Sequence, residues 1–95
     1  MAQYRILIVE DDETIAKMEK EYLEKWEYNV FCVSDFKNIL NDVSEQKPDL
    51  ILMDVQLPYY NGFYWCSEIR KFSKVPIMFV SSKNDEMNIV MAMDM

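Results

Sequence analysis

The sequence predicts an α/β fold, a parallel sheet with helices packed on both faces. Three observations carry this. Short unbroken apolar runs, Ile6-Leu-Ile-Val9, Leu50-Ile-Leu-Met53 and Ile77-Met-Phe-Val80, read as strands buried on both sides. Stretches between them place apolar residues at helical spacing, and strict strand–helix alternation favours parallel strands joined by right-handed crossovers. Each of the three runs ends in polar groups, Glu10-Asp11, Asp54 and Ser81. In open α/β sheets ligands sit beyond the carboxyl ends of the strands, so these residues stand where chemistry is expected.

The elements follow in order. The first strand covers Tyr4 to Val9 and runs into Glu10-Asp11-Asp12. A helix over about Glu13 to Trp26 carries Ile15, Met18, Tyr22, Leu23 and Trp26 on one stripe, with Asp12 placed to cap it. Tyr28-Asn29 turns the chain into a short strand, Val30 to Val33. Ser34 and Asp35 offer caps for a second helix with Phe36, Ile39, Leu40 and Val43 inward, which stops near Gln46 ahead of Pro48. The third strand, Leu50 to Met53, is followed by Asp54 and a loop from Val55 to Asn61. Gly62, the single glycine, precedes a helix over about Phe63 to Phe72 that turns Phe63, Cys66, Ile69 and Trp65 inward. Pro76 opens the fourth strand, where proline is tolerated, and Ser81-Ser82 end it. A fourth helix is expected from Asn84-Asp85 to the last residue, with Met87, Val90 and Met91 on its inner face and Ile89 and Met93 off it.

Composition bounds the function. Ninety-five residues, 51% of them apolar, suffice for one small domain with a real core. The net charge of −7 argues against direct nucleic-acid binding, which wants a basic face. No run approaches the roughly 20 apolar residues of a membrane span, and no signal-peptide pattern precedes the first strand, so a cytoplasmic location without membrane insertion is expected. Cys32 and Cys66 suggest reduced, buried thiols rather than a disulfide framework. The absence of histidine removes His-based catalysis and the common zinc patterns.

If the first, third and fourth strands are neighbours, Glu10, Asp11, Asp54 and Ser81 face one crevice. A carboxylate pair at about 4 Å repels by about 4 kcal/mol at an effective dielectric near 20. A divalent cation offsets this, and oxygen-only donors without His or Cys suit Mg²⁺. A carboxylate beside a metal can act as nucleophile toward a phosphoryl group, and a hydroxyl can donate to the bound oxyanion. Taken singly, each piece has a simpler role. Glu10, Asp11 and Asp12 suit a helix N-terminus, Ser81 and Ser82 suit a turn, Gly62 suits a turn, and the late methionines suit core filling.

The three segments Ile6-Leu-Ile-Val-Glu-Asp-Asp12, Asp54-Val-Gln-Leu-Pro-Tyr-Tyr-Asn-Gly62 and Pro76-Ile-Met-Phe-Val-Ser-Ser82 together resemble a response-regulator receiver domain of bacterial two-component signalling, over essentially the whole chain. The resemblance implies a flavodoxin-like, doubly wound parallel sheet in strand order 2-1-3-4-5. It implies that Asp54 accepts a phosphoryl group from a sensor histidine kinase, and that Mg²⁺ is held by Glu10, Asp11, Asp54 and the backbone carbonyl of Gln56. Ser81 then fills the switch-hydroxyl position, and Pro58 and Gly62 shape the loop beyond Asp54. The chain so read is a phosphoacceptor that assists its own phosphorylation and dephosphorylation rather than an enzyme. Gly62-Phe-Tyr-Trp-Cys66 and Ser81-Ser-Lys-Asn-Asp85 are similar to OmpR-type winged-helix regulators that respond to bacitracin and antimicrobial peptides.

The chain departs from the family pattern at its end. On the elements expected above, the family's fifth strand, fifth helix and strand-five lysine would have no counterpart before Met95, and neither would a DNA-binding effector domain. Lys83 lies after the wrong strand to replace that lysine. The expectations are a receiver domain over 1–95 truncated after its fourth helix, an exposed fourth-strand edge, self-association through that edge or by swapping, lowered stability and impaired phosphorylation. Two rivals stand beside this reading. One is a pseudo-receiver that binds partners without phosphorylation. The other is a Mg²⁺-dependent phosphohydrolase resembling the haloacid dehalogenase superfamily, which wants a second acid where Gln56 stands.

Overall fold

The computed structural model describes the backbone of residues 3–81 and 88–91 and the side chains of residues 3–80. Its elements are β1 (Arg5–Val9), α1 (Glu13–Glu24), β2 (Asn29–Cys32), α2 (Ile39–Gln46), β3 (Leu50–Met53), α3 (Gly62–Arg70), β4 (Ile77–Ser81) and β5 (Asn88–Met91). They form a five-stranded sheet in the order β2-β1-β3-β4-β5. β1 pairs in parallel with β2 and β3, and β3 pairs in parallel with β4.

Alternation along the strands sorts their side chains onto two faces. Leu7, Val9, Ile51, Met53, Ile77 and Phe79 point to one side, where Ile39 and Val43 of α2 and Trp65, Cys66 and Ile69 of α3 close over them. Burying each large aliphatic side chain there contributes about 1.5–3 kcal/mol. Ile6 and Ile8 point the other way and meet Ala16 of α1 and Val30 of β2. On that second face Leu50, Leu52, Met78 and Val80 are only half-buried. Together with Ile6, Tyr22 and Leu23 they line a groove of 520 Å³, which no helix of the described residues covers.

Four expectations need correcting. The α1 contact line runs through Ala16 and Leu23, two turns apart, while Met18, Tyr22 and Trp26 are exposed. The stripe is therefore turned by about one residue, or 100°, and α1 ends at Glu24, which leaves Trp26 outside it. Second, Asp35 does not cap α2. Its Oδ1 accepts from the Lys37 N–H at 3.0 Å and its carbonyl from the Asn38 N–H at 3.2 Å. This local turn holds the chain out of helix until Ile39. Third, Phe63 is exposed, although its ring lies 4.7 Å from Phe79, and Cys32 is exposed while Cys66 is buried.

The fourth correction concerns the end of the chain. Residues 88–91, expected in a helix, form β5, which runs antiparallel to β4 with Phe79 opposite Val90 and Val80 opposite Ile89. Asn84, Asp85, Met87 and Met93 lie outside the described residues. Ile and Val have high strand propensity, and an apolar run this short fits a helix or a strand by period alone. The backbone groups along β4 tip the balance, because an unpaired edge there leaves a row of donors and acceptors unmet. So β4 is not an edge, and a fifth strand exists. It is built from the segment expected as helix and is antiparallel.

Candidate functional site

Strand register brings the acids together. Val9 lies opposite Met53 and Met53 opposite Phe79, so Glu10 and Asp54 leave the sheet at one level, beside Val80 of β4. The Asp54 N–H donates to the Val9 carbonyl at 2.9 Å, which carries the ladder one residue past β3 and fixes the backbone beneath the carboxylate. Ser81 ends β4 at the same side of the sheet, and its side chain lies outside the described residues.

The acidic run after β1 divides its work. Asp12 caps α1, its Oδ1 accepting from the Thr14 and Ile15 N–H groups at 3.0 and 3.2 Å. Glu10 turns inward, 6% exposed, and its Oε2 accepts from the Asp12 N–H at 3.1 Å. Carboxylate oxygens of Glu10, Asp11 and Asp54 all lie within 4.8 Å of one another. Asp54 is 3% exposed, and its Oδ1 accepts from the Gln56 N–H at 3.2 Å. Helix capping alone explains Asp12 but neither Glu10 nor Asp11. All three donors are hard carboxylate oxygens, the set that suits Mg²⁺ better than a softer metal.

The loop beyond Asp54 is built around Gly62. A Cβ there would fall well inside contact distance of the Asp54 carbonyl oxygen and 3.0 Å from Met53 Cγ. The Gly62 N–H donates to the Val55 carbonyl at 2.9 Å, and Asn61 caps α3 through the Tyr64 N–H at 2.9 Å. Tyr59 holds a left-handed backbone with φ 70°, a conformation costly for a bulky residue. Its ring lies 5.0 Å from the Lys37 ammonium. Tyr60 stacks on Tyr64 at 4.2 Å, and buried Trp65 meets both edge-on. Sequence reasoning missed Lys37 and Tyr59. The only available signal was a pair of tyrosines directly after Pro58.

Glu19 of α1 sits in the apolar groove, and burial, then the charge of Asp54, raise its pKa above the usual carboxylate range. Ionising Glu19 therefore costs the fold stability. That cost is absent below the unfolded pKa and is complete above the raised folded one. Glu19→Gln is expected to raise the thermal midpoint by a few degrees at pH 7, and the gain should vanish near pH 4. A gain of equal size at both pH values would rule out this electrostatic origin.

The response regulator receiver domain model matches residues 6–95. Among curated proteins, the chain is 47% identical over 91 residues to an uncharacterized transcriptional regulatory protein, YvcP, of Bacillus subtilis, covering 96% of this chain and 38% of that protein. It is 42% identical over 92 residues to the sensory transduction protein BceR of Halalkalibacterium halodurans, covering 97% and 40%. It thus spans about two-fifths of the length of these relatives. The solved N-terminal domain of the nisin resistance regulator NsrR, a lantibiotic response regulator, superposes with a TM-score of 0.79 at 50% identity, covering 92% of this chain and 74% of that one. The beryllofluoride-activated receiver domain of Klebsiella pneumoniae RstA gives 0.78 at 28% identity, covering 86% and 70%. No helix among the described residues is long and apolar enough to cross a membrane. Sheet order, acidic strand ends and these likenesses agree, and the chain belongs to the response regulator receiver domain family.

Proposed function

We propose that Asp54 is the phosphoacceptor of this receiver, charged by a phosphohistidine of a sensor histidine kinase. The carrying observation is the group of carboxylates from Glu10, Asp11 and Asp54, all within 4.8 Å at one end of the sheet. An Asp54 carboxylate oxygen forms the new O–P bond as the donor's P–N bond breaks, and the electron pair leaves on the imidazole nitrogen. Glu10, Asp11, Asp54 and the Gln56 carbonyl are the groups that would hold Mg²⁺. Bound there, the ion supplies charge neutralisation for the transferring phosphoryl. Asp54 is oriented for the reaction by two backbone donations, its own N–H to Val9 and the Gln56 N–H to its Oδ1. Ser81 is assigned the switch hydroxyl, on its position at the end of β4.

In a longer protein this domain would control a DNA-binding effector domain. The likeness to transcriptional regulators supports that, and the likeness to a nisin resistance regulator supports a role in the response to antimicrobial peptides. The test is intact mass after incubation with Mg²⁺ and acetyl phosphate, beside Asp54→Ala. One phosphoryl group is expected, dependent on Mg²⁺ and absent from the variant. No gain by a chain shown to be folded by circular dichroism would overturn the reading and favour an interaction module.

A further inference from the structure

Asp54 is almost fully buried, and the Asp11 carboxylate has an oxygen within 4.8 Å of its own. Two cavities open on Asp11. One, of 350 Å³, is lined by Glu10, Glu13, Lys17 and Lys20. The other, of 510 Å³, lies between the Ser34–Lys37 segment and Pro58-Tyr59, on the loop that follows Asp54. The second has room for an acyl phosphate or an imidazole-borne phosphoryl group, and the acceptor's own loop forms its wall.

Every phosphoryl donor of this kind is an anion, and it approaches a cluster of carboxylates. Coulomb repulsion opposes it unless a cation stands at the mouth. Lys37 is the cation lining this cavity. Among the described residues no carboxylate lies within ion-pairing distance of its ammonium. The Tyr59 ring holds it instead, at 5.0 Å, from a left-handed backbone position. A cation–π contact fixes an ammonium in place without neutralising it, so its charge remains available to an anion. Two independent features, a tyrosine with a left-handed backbone and an ammonium with no ion-pair partner among the described residues, meet at one cavity beside Asp11.

We infer that Lys37, held by Tyr59, is a positioning residue that draws the anionic phosphoryl donor into the 510 Å³ cavity toward Asp54. The inference rests on the reading of Asp54 as phosphoacceptor. The group transferred and the bonds made and broken are unchanged. Lys37 acts on donor encounter alone.

Initial rates of phosphorylation by acetyl phosphate with Mg²⁺, followed by intact mass at low ionic strength, test it. The proteins are wild type, Lys37→Gln, Lys37→Arg and Lys74→Gln. Lys74 precedes β4 at the opposite end of the parallel strands, so its variant removes the same charge away from the site. The second-order rate constant of Lys37→Gln should fall about three- to tenfold. Lys37→Arg should keep most of the rate and Lys74→Gln all of it. Added salt should bring wild type down toward Lys37→Gln. Mg²⁺ affinity of Lys37→Gln, read by tryptophan fluorescence, should hold or tighten, since a cation has gone; a merely structural lesion would weaken both. Equal rates for wild type and Lys37→Gln, or an equal loss in Lys74→Gln, would overturn the role of Lys37 alone. A wild type that gains no phosphoryl group overturns the reading of Asp54 instead.

Discussion

Gly62→Ala is expected to destabilise the domain by about 2–3 kcal/mol, lowering the thermal midpoint by roughly 10–20 °C for a chain of this size. The reason is space rather than backbone freedom, since Gly62 has no positive φ. The added methyl group would meet the Asp54 carbonyl oxygen, the Asp54 carbonyl carbon at 3.2 Å and Met53 Cγ at 3.0 Å. Two of those atoms are backbone and cannot rotate aside. Relief requires α3 to withdraw from the end of β3. That strains the Gly62–Val55 hydrogen bond and pulls Trp65, Cys66 and Ile69 out of a packed core. The same displacement moves Asp54, so Mg²⁺ affinity should fall with stability. Circular dichroism melting and a Mg²⁺ titration check both. An unchanged midpoint would show that α3 can slide freely, and the close approach would then not be what requires glycine.

How much of this was legible in the sequence depends on which contact decided each feature. β1, β3 and β4 were legible because their apolar runs are continuous and flanked by acids, prolines or serines, and Leu50–Met53 matches to the residue. The Asp12 cap was legible because capping is local. Two features of the fold were decided by partners distant in sequence. The face of α1 is set by where the sheet lies, so Ala16 rather than Met18 became the contact. The state of 88–91 is set by the unpaired edge of β4, which no window within that segment records. The site shows both kinds of information. Glu10, Asp11 and Asp54 were visible as strand-end acids, and register then delivered them to within 4.8 Å. Lys37 was not visible, because its place depends on a left-handed turn at Tyr59, a residue with no propensity for that conformation. Gly62 was noticed as the lone glycine, but the neighbour that demands it is a backbone carbonyl eight positions earlier.

The carboxylate group makes a second strong prediction, with opposite signs in two buffers. With metal removed by EDTA, Asp54→Asn should stabilise the fold by about 1–2 kcal/mol. Unit charges no more than 4.8 Å apart repel by at least about 3 kcal/mol at an effective dielectric near 20, and screening reduces that figure. Asparagine keeps an oxygen to accept from the Gln56 N–H, so the hydrogen bond at that place survives and the charge is what changes. With saturating Mg²⁺ the order should close or reverse. Binding to the folded state alone stabilises wild type by about 2.7 kcal/mol at a concentration 100 times the dissociation constant, and a variant lacking one charged ligand gains less. Urea denaturation in both buffers measures the four free energies of the cycle. If Asp54→Asn is no more stable than wild type in EDTA, mutual repulsion is not what the fold tolerates at this spot. If the EDTA gap appears and Mg²⁺ fails to close it, the acids strain the fold without forming a cation site. Both effects together would mean that the fold holds these carboxylates at a cost that Mg²⁺ relieves. A phosphoacceptor whose activity is to depend on that metal needs the same arrangement.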